Sequence, residues 1–269
     1  MLKDITFGQY FDTSSPVHKM DPRAKILLTV FLIVFLFIAK NFYALIFMAV
    51  FIFLVLALTR VPFRIYIKNL KAILPVIIFT ALINMFYGGG GKEIFSFWIF
   101  TLNTGGISKA VFMALRIVLL ILLSSVLTYT TSPNDLTDAI ERIFSFLTVF
   151  GLKNAVHTLA MMMTIALRFI PTLIEEAEKI MNAQKARGAD LESGNLFERI
   201  RSLIPILIPL LISSVMRAYQ LAEAMECRCY NGGEGRVRMK QLRFGGVDFI
   251  AFFVSLVTCT AIIFINIFL

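Results

Sequence analysis

Long apolar runs separated by short clusters of charge set the rhythm of the chain. The first run begins at Ile26 and reaches Arg60, interrupted only by Lys40-Asn41. A helix rises 1.5 Å per residue and needs about 20 residues to cross a bilayer. The run therefore predicts two crossing helices with a tight turn at Lys40-Asn41. From Arg60 to Lys71 cations alternate with apolar residues, and Arg60, Arg64, Lys68 and Lys71 stand at helical spacing. This predicts an amphipathic interfacial helix whose basic side chains reach the lipid head groups. Apolar runs from Ala72 to about Tyr87, from Ile107 to Thr128 and from Val247 to Leu269 predict three further crossings. Arg116 falls inside one of them, where a charge is costly and calls for a carboxylate, a partner helix or a functional role.

Between these crossings the character changes. Ser132-Pro133 starts a helix, with Ser132 as N-cap and Pro133 at its first position. To about Phe150 that helix carries Asp135, Asp138, Glu141 and Arg142 on one side and Leu136, Ile140, Ile143, Phe144 and Leu147 on the other, so it is amphipathic and does not span. Two long helices follow, Asn154–Arg187 and Leu196–Tyr230, joined by a short loop from Gly188 to Gly194. Each is apolar in its first half and charged in its second. Pro171 in the first, and Pro205 and Pro209 in the second, are expected to bend them. Such helices are suited to lie tilted at the membrane face with their distal ends in water. The fold class is thus all-α: a polytopic membrane protein with about five transmembrane helices (1–128 and 247–269) and a three-helix cytoplasmic or interfacial domain (129–246) with two long helices.

Composition agrees with a bilayer as solvent: 58% of the 269 residues are hydrophobic, mean hydropathy is +0.83, and 27 are Phe. The first apolar run begins behind a polar, charged leader, so no cleavable signal peptide is expected. Three cysteines, Cys227, Cys229 and Cys259, are too few and too poorly placed for a disulfide framework. The excess of 26 Lys and Arg over 17 Asp and Glu follows topology rather than nucleic acid. Residues 1–25, 60–71 and 129–246 hold 4, 4 and 14 cations, whereas the turn at Lys40 and the segment with Lys92 and Lys109 hold 1 and 2. Positive charge gathers on the cytoplasmic side, so the N-terminus is expected inside and the C-terminus outside.

Some local patterns invite chemistry. Gly88 to Lys92 fails as a phosphate loop, because Phe86 and Glu93 occupy positions a Walker sequence reserves for Gly and Ser or Thr; a flexible external loop from Gly88 to Gly106 is expected instead. In the leader, Asp21-Pro22 reads as a helix start. More telling is a repeat: each long helix ends in one arginine between small residues, Ala186-Arg187-Gly188 and Cys227-Arg228-Cys229, 41 residues apart. A helix C-terminus favours a cation and a left-handed Gly, which accounts for one copy but not for two. Small neighbours let a tip enter a groove, where arginine makes forked hydrogen bonds to carboxylates or carbonyls. Cys227 and Cys229, two apart and without other soft ligands nearby, are not expected to bind metal, and His18 and His157 are expected to be structural.

The order and spacing of His18-x-x-Asp21-Pro22-Arg23-x-Lys25, Leu167-Arg168-Phe169-Ile170-Pro171 and the two arginine tripeptides resemble the EcfT family, the transmembrane T component of energy-coupling factor transporters. The resemblance covers essentially the whole chain. It implies a non-catalytic scaffold in the cell membrane, without a cofactor of its own, coupling ATP hydrolysis to uptake of vitamins or other micronutrients. The implied partners are two ATP-binding-cassette ATPases (EcfA and EcfA'), which bind the ATP and Mg, and a small membrane substrate-binding S component. It also implies that each tripeptide docks on one ATPase. Cys229 stands where the family pattern has glycine, which puts the left-handed cap there in question. For the S component, Met161, Met162 and Met163 and the face with Leu203, Leu207 and Leu211 offer an adaptable apolar contact; lipid-facing or internal packing is the competing role. A rival reading is a membrane-embedded lipid-modifying enzyme with Asp135, Asp138 and Glu141 as metal ligands, although their spacing is that of a wet helix face. A secondary transporter should show internal repeats and polar residues within the spans, and beyond Arg116 neither is visible.

Overall fold

The computed structural model describes residues 10–87, 93–97, 100–145, 153–189, 196–231 and 244–268. Its helices are α1 (Pro22–Ile38), α2 (Phe42–Thr59), α3 (Phe63–Tyr87), α4 (Thr104–Thr130), α5 (Pro133–Phe144), α6 (Lys153–Ala186), α7 (Leu196–Cys227) and α8 (Gly246–Phe268). A short antiparallel pair, β1 (Glu93–Phe97) and β2 (Phe100–Asn103), lies between α3 and α4. The chain divides into two units, one covering 8–139 and 241–269, the other covering 140–240.

Local signals explain most boundaries. Asp21 caps α1 by accepting the Arg23 N–H at 2.9 Å, with Pro22 in the first turn. Ser132 caps α5 reciprocally: its hydroxyl oxygen accepts the Asp135 N–H at 3.2 Å and its hydroxyl donates to the Asp135 carboxylate at 2.8 Å. The expected turn at Lys40-Asn41 separates α1 from α2. Two expectations change. Arg60–Lys71 and the run after Ala72 are not separate elements. Arg60 takes a left-handed conformation (φ 56°) at the end of α2, and a single 25-residue helix, α3, runs from Phe63 through Pro75 to Tyr87. Interfacial and spanning sequences are continuous because nothing between them breaks helical geometry. The expected loop from Gly88 to Gly106 contains the β1–β2 pair and the first turn of α4, aromatic-rich segments being well suited to strands. Gly88–Lys92 and the end expected for α5 near Phe150 lie outside the described residues.

In the first unit one apolar core joins Leu32 and Leu36 of α1, Leu45, Met48 and Ile52 of α2, Leu119 and Leu122 of α4, and Cys259 and Ile262 of α8. Tyr66 meets Tyr129 edge to face at 5.2 Å and donates its hydroxyl to Thr59, which itself donates to the Leu56 carbonyl. Gly106 allows α4 to approach α3: a Cβ there would stand 2.4 Å from the Met85 carbonyl oxygen.

Among the described residues, six helices are long and apolar enough to cross a membrane, namely α2, α3, α4, α6, α7 and α8. At 17 residues α1 is shorter, about 25 Å.

Candidate interaction site at two arginine-tipped helices

Both long helices end in the same backbone motif. At the end of α6 the Gly188 N–H donates to the Lys185 carbonyl at 3.0 Å and the Ala189 N–H to the Gln184 carbonyl at 3.0 Å, with Gly188 at φ +88°. At the end of α7 the Cys229 N–H donates to the Glu226 carbonyl at 2.9 Å and the Tyr230 N–H to the Met225 carbonyl at 3.1 Å, with Cys229 at φ +53°. Each is a Schellman closure, with its paired 5→2 and 6→1 bonds. The cap that the Gly-to-Cys difference put in question is therefore kept, and a non-glycine residue is held in the left-handed region at a cost of about 1–2 kcal/mol. Arg187 and Arg228 occupy the same position in the two motifs. Ala186, Arg187, Gly188, Cys227, Arg228 and Cys229 are all exposed, and among the described residues neither guanidinium has an ion-pair partner.

The two helices form an antiparallel hairpin. Glu176 of α6 accepts the Ser213 hydroxyl and pairs with Arg217 of α7 at 2.6 Å, and the Tyr230 hydroxyl donates to the Met161 sulfur at 2.9 Å. Rising residue numbers on one helix meet falling numbers on the other, so the arginine tips point to opposite ends. From the level of Met161, where α7 terminates, to Arg187 is 26 residues of helix, roughly 39 Å. Pro171, Pro205 and Pro209 lie inside continuous helices. Met162 and Met163 are exposed, as are Leu203, Leu207 and Leu211 at i, i+4 and i+8 along one face of α7; Met161 is half-buried under Tyr230. These side chains form apolar surface on the hairpin.

The leader motif has a different place. His18 is enclosed by its own segment: Nε2 donates to the Phe11 carbonyl at 2.9 Å and Nδ1 accepts the Ser15 hydroxyl at 2.7 Å. Burial holds its pKa below the usual 6.5. Asp21 binds Arg23 through Nε at 3.1 Å and Nη2 at 2.8 Å, and the Arg23 guanidinium lies 4.5 Å over the Phe244 ring. Burial works to raise the Asp21 pKa, but the bonds and charge of Arg23 prevail and hold it below the ordinary carboxylate range. The buried carboxylate of Asp248, at the start of α8, accepts the Asp21 N–H at 2.9 Å and the Gly245 N–H at 2.7 Å. Lys25, also buried, donates to the carbonyls of Thr130 at 2.8 Å and His18 at 3.2 Å. His18, Asp21, Pro22, Arg23 and Lys25 thus clasp the starts of α1 and α8 to the end of α4. Sequence reasoning did not find Asp248 as the centre of this clasp, 227 residues from its partner. The signal available was an acid at the head of an otherwise apolar helix.

At the other end of α1, Arg116 donates to the Ala39 carbonyl and stacks 4.6 Å over Phe112, so a peptide oxygen at a helix C-terminus, rather than a carboxylate, receives the charge. Asn266 completes that end, donating to the Ile38 carbonyl at 3.0 Å and accepting the Lys40 N–H at 3.2 Å. The carboxylates of α5 do not converge: Asp135 turns back to Ser132, and Glu141 accepts from His157 Nδ1 at 3.3 Å. Among the described residues no group of three or more His, Cys, Asp or Glu is gathered as a metal site.

Apolar helices of spanning length, with carbonyls at the end of α1 answered by the side chains of Arg116 and Asn266, define a multi-pass helical membrane protein. The cobalt transport protein family, CbiQ, matches residues 13–240. The energy-coupling factor transporter transmembrane protein EcfT of Clostridium kluyveri is 49% identical over 265 residues, covering 98% of this chain and 97% of that protein. The EcfT proteins of Ruminiclostridium cellulolyticum and Bacillus subtilis are 46% and 43% identical, each across 98% of this chain and 97% and 98% of their own lengths. The chain belongs to this family, and is a transmembrane component of an energy-coupling factor transporter.

Proposed function

We propose that this chain is the non-catalytic coupling subunit of its transporter. Arg187 and Arg228 each dock into a groove on one of two cytosolic ATP-binding-cassette subunits, which hold the ATP and Mg. The carrying observation is the pair of exposed, identically capped arginines at opposite ends of one tied hairpin. Nucleotide-driven movement of the ATPases shifts the tips relative to one another. The hairpin passes that shift to its apolar surface, where Met161, Met162, Met163, Leu203, Leu207 and Leu211 meet a membrane S component carrying a vitamin or other micronutrient. The segment 129–246 is the coupling domain and the remaining helices are the transmembrane domain. Because its cations cluster in 1–25, 60–71 and 129–246, the chain sits in the cytoplasmic membrane with its N-terminus inside.

Affinity purification in mild detergent tests this reading. The wild-type chain should bring down two ATP-binding-cassette subunits, and the Arg187→Glu/Arg228→Glu double variant should lose both. Wild-type protein that purifies alone, or a double variant that retains both ATPases, overturns it. A photocrosslinker at Leu207 or Met162 should capture the S component, and capture of lipid alone would refute that contact.

A further inference from the structure

The two tips differ in one chemical respect. At the α6 end Arg187 stands between Ala186 and Gly188, neither of which carries a reactive group. At the α7 end Arg228 stands between two thiols, Cys227 and Cys229, both free and both exposed. The remaining cysteine, Cys259, is buried in the core of the first unit. The exposed thiols of the chain are therefore confined to one tip.

The backbone between those thiols is tied, but under strain. The Arg228 N–H donates to the Met225 carbonyl at 3.1 Å, the Cys229 N–H to the Glu226 carbonyl at 2.9 Å and the Tyr230 N–H to the Met225 carbonyl at 3.1 Å. This closure needs Cys229 at φ +53°, in the left-handed region that a non-glycine residue enters only at a cost. On either side the chain is held, by α7 as far as Cys227 and by the Tyr230 hydroxyl on Met161 at 2.9 Å. Arg228 and Cys229 are the residues left to move.

Covalent geometry sets what happens when the thiols join. Facing neighbours on a helix keep their Cβ atoms about 5–6 Å apart, and residues two apart do not face one another. A disulfide brings the two Cβ atoms to about 3.8 Å. The sulfurs therefore join only when the backbone of Arg228 and Cys229 leaves the capped conformation, and Cys229 sheds its strain as it does so. We propose that Cys227 and Cys229 are a dithiol modification site for low-molecular-weight disulfides, and that its closure opens the α7 cap and withdraws Arg228 from docking. The second part rests on the docking role proposed for Arg228. One protein thiolate attacks the reagent RSSR, forming a mixed disulfide and releasing RS−. The other attacks the protein sulfur of that mixed disulfide and releases the second RS−. The two protein thiols thus give up two electrons and two protons, which appear in two RSH. In a reducing compartment the dithiol is the resting form and the disulfide is transient. Ala186 and Gly188 leave the α6 tip untouched, so only one of the two docking points is switched.

The test treats the full-length protein in mild detergent with glutathione disulfide, alkylates the remaining thiols and weighs the peptides. The peptide holding both cysteines should take up neither alkyl group nor glutathione, weigh two hydrogens less than its reduced form, and regain its thiols with reductant. Amide exchange at Arg228 and Tyr230 should quicken severalfold on closure. Cys227→Ser and Cys229→Ser should each stop at a single glutathione adduct. Titrated with the ATP-binding-cassette subunits, the oxidised wild type should bind about tenfold more weakly than the reduced and match Arg228→Glu. The Cys227→Ser/Cys229→Ser double variant should bind equally with and without the oxidant. A peptide that stays reduced or carries two glutathione groups, or one that closes without faster exchange, overturns the proposal. So does oxidised wild type that binds like the reduced protein while Arg228→Glu binds weakly. If Arg228→Glu itself binds like wild type, the docking role of Arg228 fails and the switch with it, whereas peptide mass and amide exchange still decide the dithiol site.

Discussion

Helix α1 and the α6–α7 hairpin are held in opposite ways. Both ends of α1 are tied by side chains distant in sequence, Asp248 at its start and Arg116 with Asn266 at its finish. The hairpin is tied along its length, by Glu176 with Ser213 and Arg217 and by Tyr230 with Met161, while both arginines at its tips are exposed. The first arrangement fixes an element in place. The second keeps two rods together and leaves their ends available. Polar contacts in an apolar molecule thus divide by purpose: where they close helix ends they hold a scaffold, and where they bridge helix flanks they set a registration point.

The sharpest way to break this contrast is at Asp248. Asp248→Ala strands the Asp21 and Gly245 N–H groups beside Arg23, and should destabilise the α1–α8 clasp by about 3 kcal/mol. Thermal unfolding in detergent reads the loss, and Asp248→Asn should recover part of it. An unchanged melting temperature would mean that the clasp does not hold the scaffold. A smaller effect is expected from Glu176→Ala. Arg217 is more than a third exposed, so the pair contributes no more than about 1 kcal/mol. The variant should melt nearly normally yet broaden the distribution of distances between spin labels at the two tips. A large melting shift with unchanged tip distances would reverse the roles assigned to the two regions.

Acid should act on the clasp. The folded pKa of His18 lies below 6.5 and that of Asp21 below 3.8, so in both cases the unfolded chain binds more protons as pH falls. The His18 contribution is complete above about 6.5 and is lost as pH falls toward its folded value; the Asp21 contribution follows below 3.8. Melting temperature should decline as pH drops below 6.5, and His18→Gln should flatten that first step. The mildest prediction concerns the second tip. Cys229→Gly relieves a left-handed cysteine and should stabilise the α7 cap by about 1 kcal/mol, seen as slower amide exchange at Tyr230. Gly188→Ala should have the opposite sign at the α6 tip.

Much of this was legible in the chain. Asp21-Pro22 and Ser132-Pro133 announce their helices because capping is a local act, and the paired tripeptides mark the tips of α6 and α7. What escaped was decided by distance or by degeneracy. The bond from Asp21 to Asp248 spans nearly the whole sequence, and the pairing of Glu176 with Arg217 depends on which faces of two helices meet. Arg116 showed its cost but not its acceptor, because a backbone carbonyl leaves no mark in a sequence. The Arg60–Lys71 stretch gave a helical pattern, yet periodicity alone cannot tell where one helix ends if the next residues are equally helical.

Glu176 and Arg217 lie the same number of residues, 11, before Arg187 and Arg228. Measured from that contact the hairpin is a pair of equal-bladed shears, each blade about 16 Å long. A turn of ~10° about the rivet would sweep a free point such as Arg187 through about 3 Å. The point at Arg228 is the less free of the two, because Tyr230 beside it is bonded to Met161, so the two strokes are unequal before anything grips them.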